Sequence, residues 1–190
     1  MKGNLRRMKV VPKAMWLTTY FAAFAALAFD PVGPARATPA SGFTGTTLVK
    51  GTFAPFQVIN HLSRDELQQL VPGFPGDTWF SLEKTDGGPS DLYVQTNAWQ
   101  PGATTGWHRH PGHSLIVITS GQVTEYHADC TAHVYGPGTA NGPTLVDTGD
   151  DAHLIRNEGV TAATGFAVQI VASGAPRRID ESAPNACPIL

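Results

Sequence analysis

The chain is poor in several features that would point to common functions. It has two cysteines, Cys130 and Cys187, far apart and outside any Cys-x-x-Cys, so a thiolate metal site has no support in the spacing. Charged residues make up only 15% and the net charge is −2, with no basic stripe interleaved with aromatics, which argues against nucleic acid as a partner. There is no internal repeat and no low-complexity tract. Beyond Phe29 no apolar run approaches the ~20 residues of a membrane span.

What the chain does have begins with a leader. Lys2, Arg6, Arg7, Lys9 and Lys13 form a basic start, Ala14 to Phe29 is apolar apart from Thr18 and Thr19, and Ala35-Arg36-Ala37 sets small residues where a signal peptidase reads. Residues 1–37 are therefore expected to be a signal peptide cleaved after Ala37, giving an exported protein, periplasmic or extracellular. No stable membrane insertion is expected after cleavage; a retained anchor is the alternative reading. The remainder, about 150 residues, suits one mildly acidic domain. In an exported protein Cys130 and Cys187 are more often joined than free. That bond would tie down the tail, residues 176–190, and chain entropy gives it about 4 kcal/mol at the upper end. Two unpaired thiols are the alternative.

Residues 38–75 read as an N-terminal arm. Thr38 to Gly51 is rich in Gly, Thr and Pro and is expected to be loose, with short strands at Thr47–Val49 and Phe53–Val58. One helix stands out over about Arg64 to Leu70. Ser63 is its N-cap, Glu66 sits at the capping-box spacing, and Pro72-Gly73 stops it. From 76 to 175 short strands alternate with turns such as Asp86-Gly87-Gly88-Pro89, Pro101-Gly102, Ser120-Gly121 and Gly136-Pro137-Gly138. Many short strands at this spacing predict an all-β sandwich or barrel with one short N-terminal helix, not alternating β and α.

The chemistry gathers at Trp107-His108-Arg109-His110-Pro111-Gly112-His113-Ser114, just before the apolar run Leu115-Ile116-Val117-Ile118. Residues i and i+2 of a strand share a face, so His108 and His110 point the same way and Arg109 points outward. Histidines inside a small barrel need partners, because a buried unpaired polar group costs a few kcal/mol. Two imidazoles on one face can converge on an ion if another strand brings a third ligand. His153 is the candidate. His113 follows a turn and belongs at the rim, with a weaker reading as a ligand. Asp151 supplies a carboxylate if the His153 strand begins early, and otherwise belongs to a solvated turn with Asp150. Trp107 lines the mouth or packs the core. His61, His127 and His133 read as structural or surface residues.

The same stretch resembles the first motif of the cupin superfamily. That motif runs Gly, five residues, His-x-His, a Glu and a closing Gly; here Gly102, His108-Arg109-His110 and Gly121 fill it. The second motif ends in a His with an Asn four positions on, matched by His153 and Asn157. The local strings Gly106-Trp107-His108, His110-Pro111-Gly112 and Arg156-Asn157-Glu158-Gly159 look like a group of small exported bacterial cupins. The likeness spans about residues 90 to 172. It implies a double-stranded β-helix, or jelly-roll barrel, and one divalent transition metal (Fe, Mn, Zn, Cu or Ni) at its mouth. Two departures stand out. Ser114 occupies the glutamate position, and Asp147 occupies the proline position of the second motif, with His153 one residue late after Gly149.

The implied centre is thus three histidines, His108, His110 and His153, with an open position beside Ser114. Three-histidine thiol dioxygenases of the superfamily bind oxygen and substrate together at such a site. The resemblance therefore implies a small-molecule oxidoreductase of the dioxygenase kind; the alternative is a barrel that binds a small molecule or metal without catalysis. By analogy with cupins, which often pair through their sheets, a homodimer is also expected.

Overall fold

The computed structural model describes residues 37–188. The leader reading lies outside these residues except for Ala37, which forms an isolated bridge with Ser182. In chain order the elements are β1 (Ser41–Phe53), β2 (Gln57–Leu62), α1 (Arg64–Leu70), β3 (Trp79–Lys84), β4 (Ser90–Thr104), β5 (His108–Arg109), β6 (Ser114–Ser120), β7 (Val123–His127), β8 (Ala132–Tyr135), β9 (Thr144–Asp147), β10 (His153–Arg156), β11 (Ala163–Ala172) and β12 (Ile179–Asp180).

β4 is the spine. β1 runs antiparallel along one side of it, from Ser41 opposite Thr104 to Phe53 opposite Ser90, and β11 runs along the other. β6 then pairs with β11, and β9 with β6, which completes a layer β1-β4-β11-β6-β9. The second layer is β12-β5-β10-β7-β8. Arg156 opposite Thr104 joins the two, flanked by backbone bonds from Thr105 N–H to the Ile155 carbonyl and from Asn157 N–H to the Ala103 carbonyl. Two antiparallel layers joined through their interior strands β4 and β10 and closing on one core make a double-stranded β-helix.

Alternation along the strands decides what lies between the layers. β6 buries Ile116 and Ile118 and exposes Leu115 and Val117; β9 buries Leu145 and Asp147. Trp99, Val123, Ile155, Ala163 and Ala167 complete the core. The inner face of β11 carries Ala163, Gly165 and Ala167, whose small side chains leave space that larger ones would fill.

β1 differs from the expected loose arm. Its threonines are good strand formers, and its main chain completes the ladder of β4. Because it is an edge strand with most side chains exposed, the apolar alternation that announces a strand is weak there. The helix follows its sequence signal: the Glu66 carboxylate accepts the Ser63 backbone N–H at 2.8 Å, and Leu67 is its one buried residue. β2 and β3 form a separate two-stranded sheet.

Cys130 and Cys187 are joined, with Cα atoms 4.9 Å apart. Around them Trp107, Leu154, Tyr126 and Ala183 form a second, smaller core. The tail is pinned further by the Glu181 N–H donating to the Trp107 carbonyl and by an Arg109–Glu181 ion pair at 2.7 Å.

Candidate metal centre

Two strands bring the histidines together. β5 and β10 are antiparallel neighbours with His108 directly opposite His153, and their ring centroids lie 4.3 Å apart. His110 follows at i+2 from His108, with centroids 4.8 Å apart, and lies 5.4 Å from His153. One ligand atom from each ring lies within 4.8 Å of the other two.

Each ring is oriented by a backbone carbonyl. His108 Nδ1 lies 2.8 Å from the Gly106 oxygen, His110 Nδ1 2.6 Å from the Arg177 oxygen, and His153 Nδ1 3.1 Å from the Asp151 oxygen. A carbonyl only accepts, so Nδ1 carries the proton in His108 and His153 and their lone pair is left on Nε2; His110 Nδ1 meets both the Arg177 carbonyl and, at 2.9 Å, the Gln169 amide nitrogen, so either tautomer finds a partner there. A carbonyl against Nδ1 is how metal-ligating histidines are commonly held. Gly106 can place its carbonyl there because it sits at φ +67°, where a Cβ would stand 2.0 Å from the Thr38 oxygen. Burial, and then the charges of His153, Arg178 and His110, push His108 down to about 2. Burial likewise lowers His153, against the opposing pull of Asp147. The site thus favours neutral imidazoles, the form that ligates metal.

The rings border a cavity of about 210 Å³, also lined by Phe43, Trp99, Ile116, Ile155 and Ala167 on its apolar side and Gln95, Asn97, Gln169, Arg177 and Arg178 on its polar side. Ser114 lines it, as its parity predicts. So does Asp147, the one carboxylate among the lining residues. Asp147 Oδ1 accepts the Gly149 N–H at 2.8 Å; Oδ2 points at His110 Nε2, 3.2 Å away, and His153 Nε2, 3.6 Å away. Both Oδ2 and His153 Nε2 are buried without a hydrogen-bond partner. Orphaned lone pairs of this kind are costly in a protein interior, and a divalent ion would satisfy them together. The donor set therefore fits a transition metal.

For three residues the sequence offers a weaker place at the site beside another reading, and the structure takes the other. His113 turns away after the Pro111-Gly112 turn and faces Glu83 at 3.6 Å, because Ser114 takes the inward position. Asp151 is exposed in the loop before β10, which starts only at His153, and it contributes its carbonyl to His153 Nδ1. Its side chain borders a surface recess with His127 and His133. Trp107 is fully buried but outside the cavity: next to His108 in the strand, it points to the opposite face and packs on Leu154 and Cys187. Sequence reasoning missed Asp147, Gln169 and Arg177. The alternation of Thr144-Leu145-Val146-Asp147 gave a usable signal for Asp147, since it shares the inward face of Leu145.

A double-stranded β-helix with inward histidines at one end of its cavity defines a barrel protein with a candidate metal centre. No family model matches the chain, and no curated protein matches it. Among solved structures it is similar to the polyketide cyclase RemF from Streptomyces resistomycificus, at 13% identity, covering 80% of each chain with a TM-score of 0.45. It is also similar to an uncharacterized conserved protein with a double-stranded β-helix domain from Klebsiella pneumoniae (15% identity, 48% of this chain and 75% of that one, TM-score 0.40). A third likeness is to the DMSP lyase DddQ from Ruegeria pomeroyi (14% identity, 46% of this chain, TM-score 0.39), of which the chain spans 42%.

Proposed function

We propose that this protein is an exported, mononuclear metal-binding cupin that works on a small molecule as an oxidoreductase of the dioxygenase kind. The reading rests on one observation: three Nε2 atoms face one cavity while each partner Nδ1 lies against a carbonyl. His108, His110 and His153 would hold the ion. The cavity lies below the about 300–1,000 Å³ of pockets for drug-sized ligands, so its occupant is small.

When bound, a redox-active ion at this position supplies oxygen and substrate activation. The chain's own residues do the rest. Phe43, Trp99 and Ile155 keep one side of the cavity apolar and exclude water, while Gln95, Asn97 and Arg177 offer donors that orient a polar substrate. The Cys130–Cys187 bond accords with an oxidising compartment and supports export. Among the described residues no helix is long and apolar enough to cross a membrane.

The test is metal analysis of protein recovered from the export compartment, with and without His108→Ala. About one transition-metal ion per chain, lost in the variant, is expected, together with oxygen uptake on screening small substrates. A full metal complement with no turnover across the screen would favour the binding-only reading. Protein free of metal after loading with each candidate ion would remove both.

A further inference from the structure

Ser114 and Asp147 are opposite each other on one rung of the β6–β9 ladder. Both are buried, at 3% and 4% exposure, and both line the cavity. Side chains on one rung start about 4.5–5.5 Å apart and reach the same space. The carboxylate missing from β6 is therefore present across the ladder on β9.

The atoms around Asp147 show what it is placed to do. Its Oδ1 is fixed by the Gly149 N–H, and Gly149 in turn accepts the His110 N–H at 3.0 Å, so Asp147 and His110 are held by one residue. Gly149 sits at φ +90°, where a Cβ would stand 2.4 Å from the Gly112 oxygen, so no larger side chain can take its place. The free Oδ2 faces the Nε2 atoms of His110 and His153, and the His153 proton is on the far side of its ring, against the Asp151 carbonyl. Asp147 Oδ2 and His153 Nε2, both buried without a hydrogen-bond partner, thus turn lone pairs toward one another, with His110 Nε2 beside them. Such an arrangement is repulsive unless a cation lies among them. A proton can bridge one pair; an ion can serve all of them at once. Ligands about 2.0–2.2 Å from one metal stand about 2.8–3.1 Å apart at right angles and about 3.3–3.6 Å apart at the tetrahedral angle. The separations of 3.2 and 3.6 Å agree with that spacing to within a few tenths of an ångström.

We propose that Asp147 is the fourth protein ligand, making the centre three histidines and one carboxylate, with the carboxylate supplied by β9 instead of β6. This rests on the metal-centre reading above. An oxygen donor with three imidazoles selects a divalent ion such as Mn(II) or Fe(II) over Cu(I). It also offsets the charge of an ion that would otherwise share the cavity with Arg177 and Arg178 and no anion. Asp147 is then committed to the ion and is not the general base of the reaction.

The experiment compares wild type, His108→Ala, Asp147→Asn and the double variant Ser114→Glu/Asp147→Ser, with folding checked by circular dichroism. Mn(II) affinity is read by equilibrium dialysis and ligand number by the visible spectrum of Co(II)-loaded protein. Asn keeps an oxygen for the Gly149 N–H but loses the anion. Asp147→Asn is expected to weaken Mn(II) more than about tenfold and to alter the Co(II) spectrum. The double variant, which returns a carboxylate to β6, should recover affinity to within a few-fold of wild type. If Asp147→Asn binds Mn(II) as tightly as wild type with an unchanged spectrum, Asp147 is not a ligand, while loss of binding in His108→Ala would still uphold the histidine centre. If wild type takes up no ion, or His108→Ala binds as wild type does, the centre itself fails and this assignment with it.

Discussion

Asp91 is a buried carboxylate with a purely structural task. It accepts the Thr52 hydroxyl at 2.6 Å, pairs with Lys50 at 2.9 Å, and receives the Ser173 hydroxyl and the Gly174 N–H, both at 3.2 Å. The Thr52 hydrogen bond first, and then Lys50, hold its carboxyl well below the usual range. The sign follows directly. Below the ordinary aspartate value, about 3.9, the unfolded chain takes up a proton that the folded chain resists. The stabilisation is therefore complete above that value and is lost as pH falls. Asp91→Asn should lower Tm near neutral pH and flatten its decline between about pH 4 and pH 2; melting curves parallel to wild type across that range would refute the role. The shared face of His108 and His110 and the inward Ser114 were legible at this scale, because extended-chain parity fixes which neighbours point the same way. Asp147 was legible in principle by the same parity. Trp107 was not, since an aromatic beside a ligand packs a core as readily as it lines a mouth, and only the location of Cys187 decides.

The site depends on elements that carry no ligand. Gln169 on β11 is buried; its amide donates to the Arg177 carbonyl at 3.0 Å and accepts from the Arg177 Nε at 3.0 Å. That carbonyl is the one that orients His110. Arg177 is braced further by Thr47 of β1 at 2.9 Å and by Gln95 of β4. Gln169→Leu keeps the approximate volume and removes both bonds. Metal affinity is expected to fall by roughly 10–100-fold, the usual cost of losing a group that orients a ligand, measured by dialysis with the fold intact by circular dichroism. Unchanged affinity would mean that the Arg177 carbonyl holds its place unaided. The helix and most barrel strands could be read from caps, turns and alternation. β1 was legible only at Thr47–Val49, and β12 not at all. The first is an exposed edge whose threonines and glycines resemble a loop, and the second is two residues held by the main chain of β5.

At the scale of the molecule, the strand spacing and turn signals pointed to a barrel, but which strand lies beside which is a property of the whole chain. The rung joining the layers, Arg156 opposite Thr104, leaves no local mark. The disulfide is another whole-chain feature, closing a separation of 57 residues. Cys187→Ser should cost about 2–4 kcal/mol, read as a lower Tm that reductant no longer changes. A Tm equal to that of the oxidised wild type would mean that the second core holds the tail without the bond.

The position of Arg177 makes the ion-gripping end depend on the tail. His108, His110 and His153 all precede the segment whose carbonyl turns His110 to face the others, and that segment is anchored beyond it by the Cys187 bond. Without that segment every imidazole is present, yet His110 lacks the carbonyl that its Nδ1 meets. The aim of that imidazole is thus set by a stretch that follows all three histidines in the chain and that the Cys130–Cys187 bond ties back to the fold.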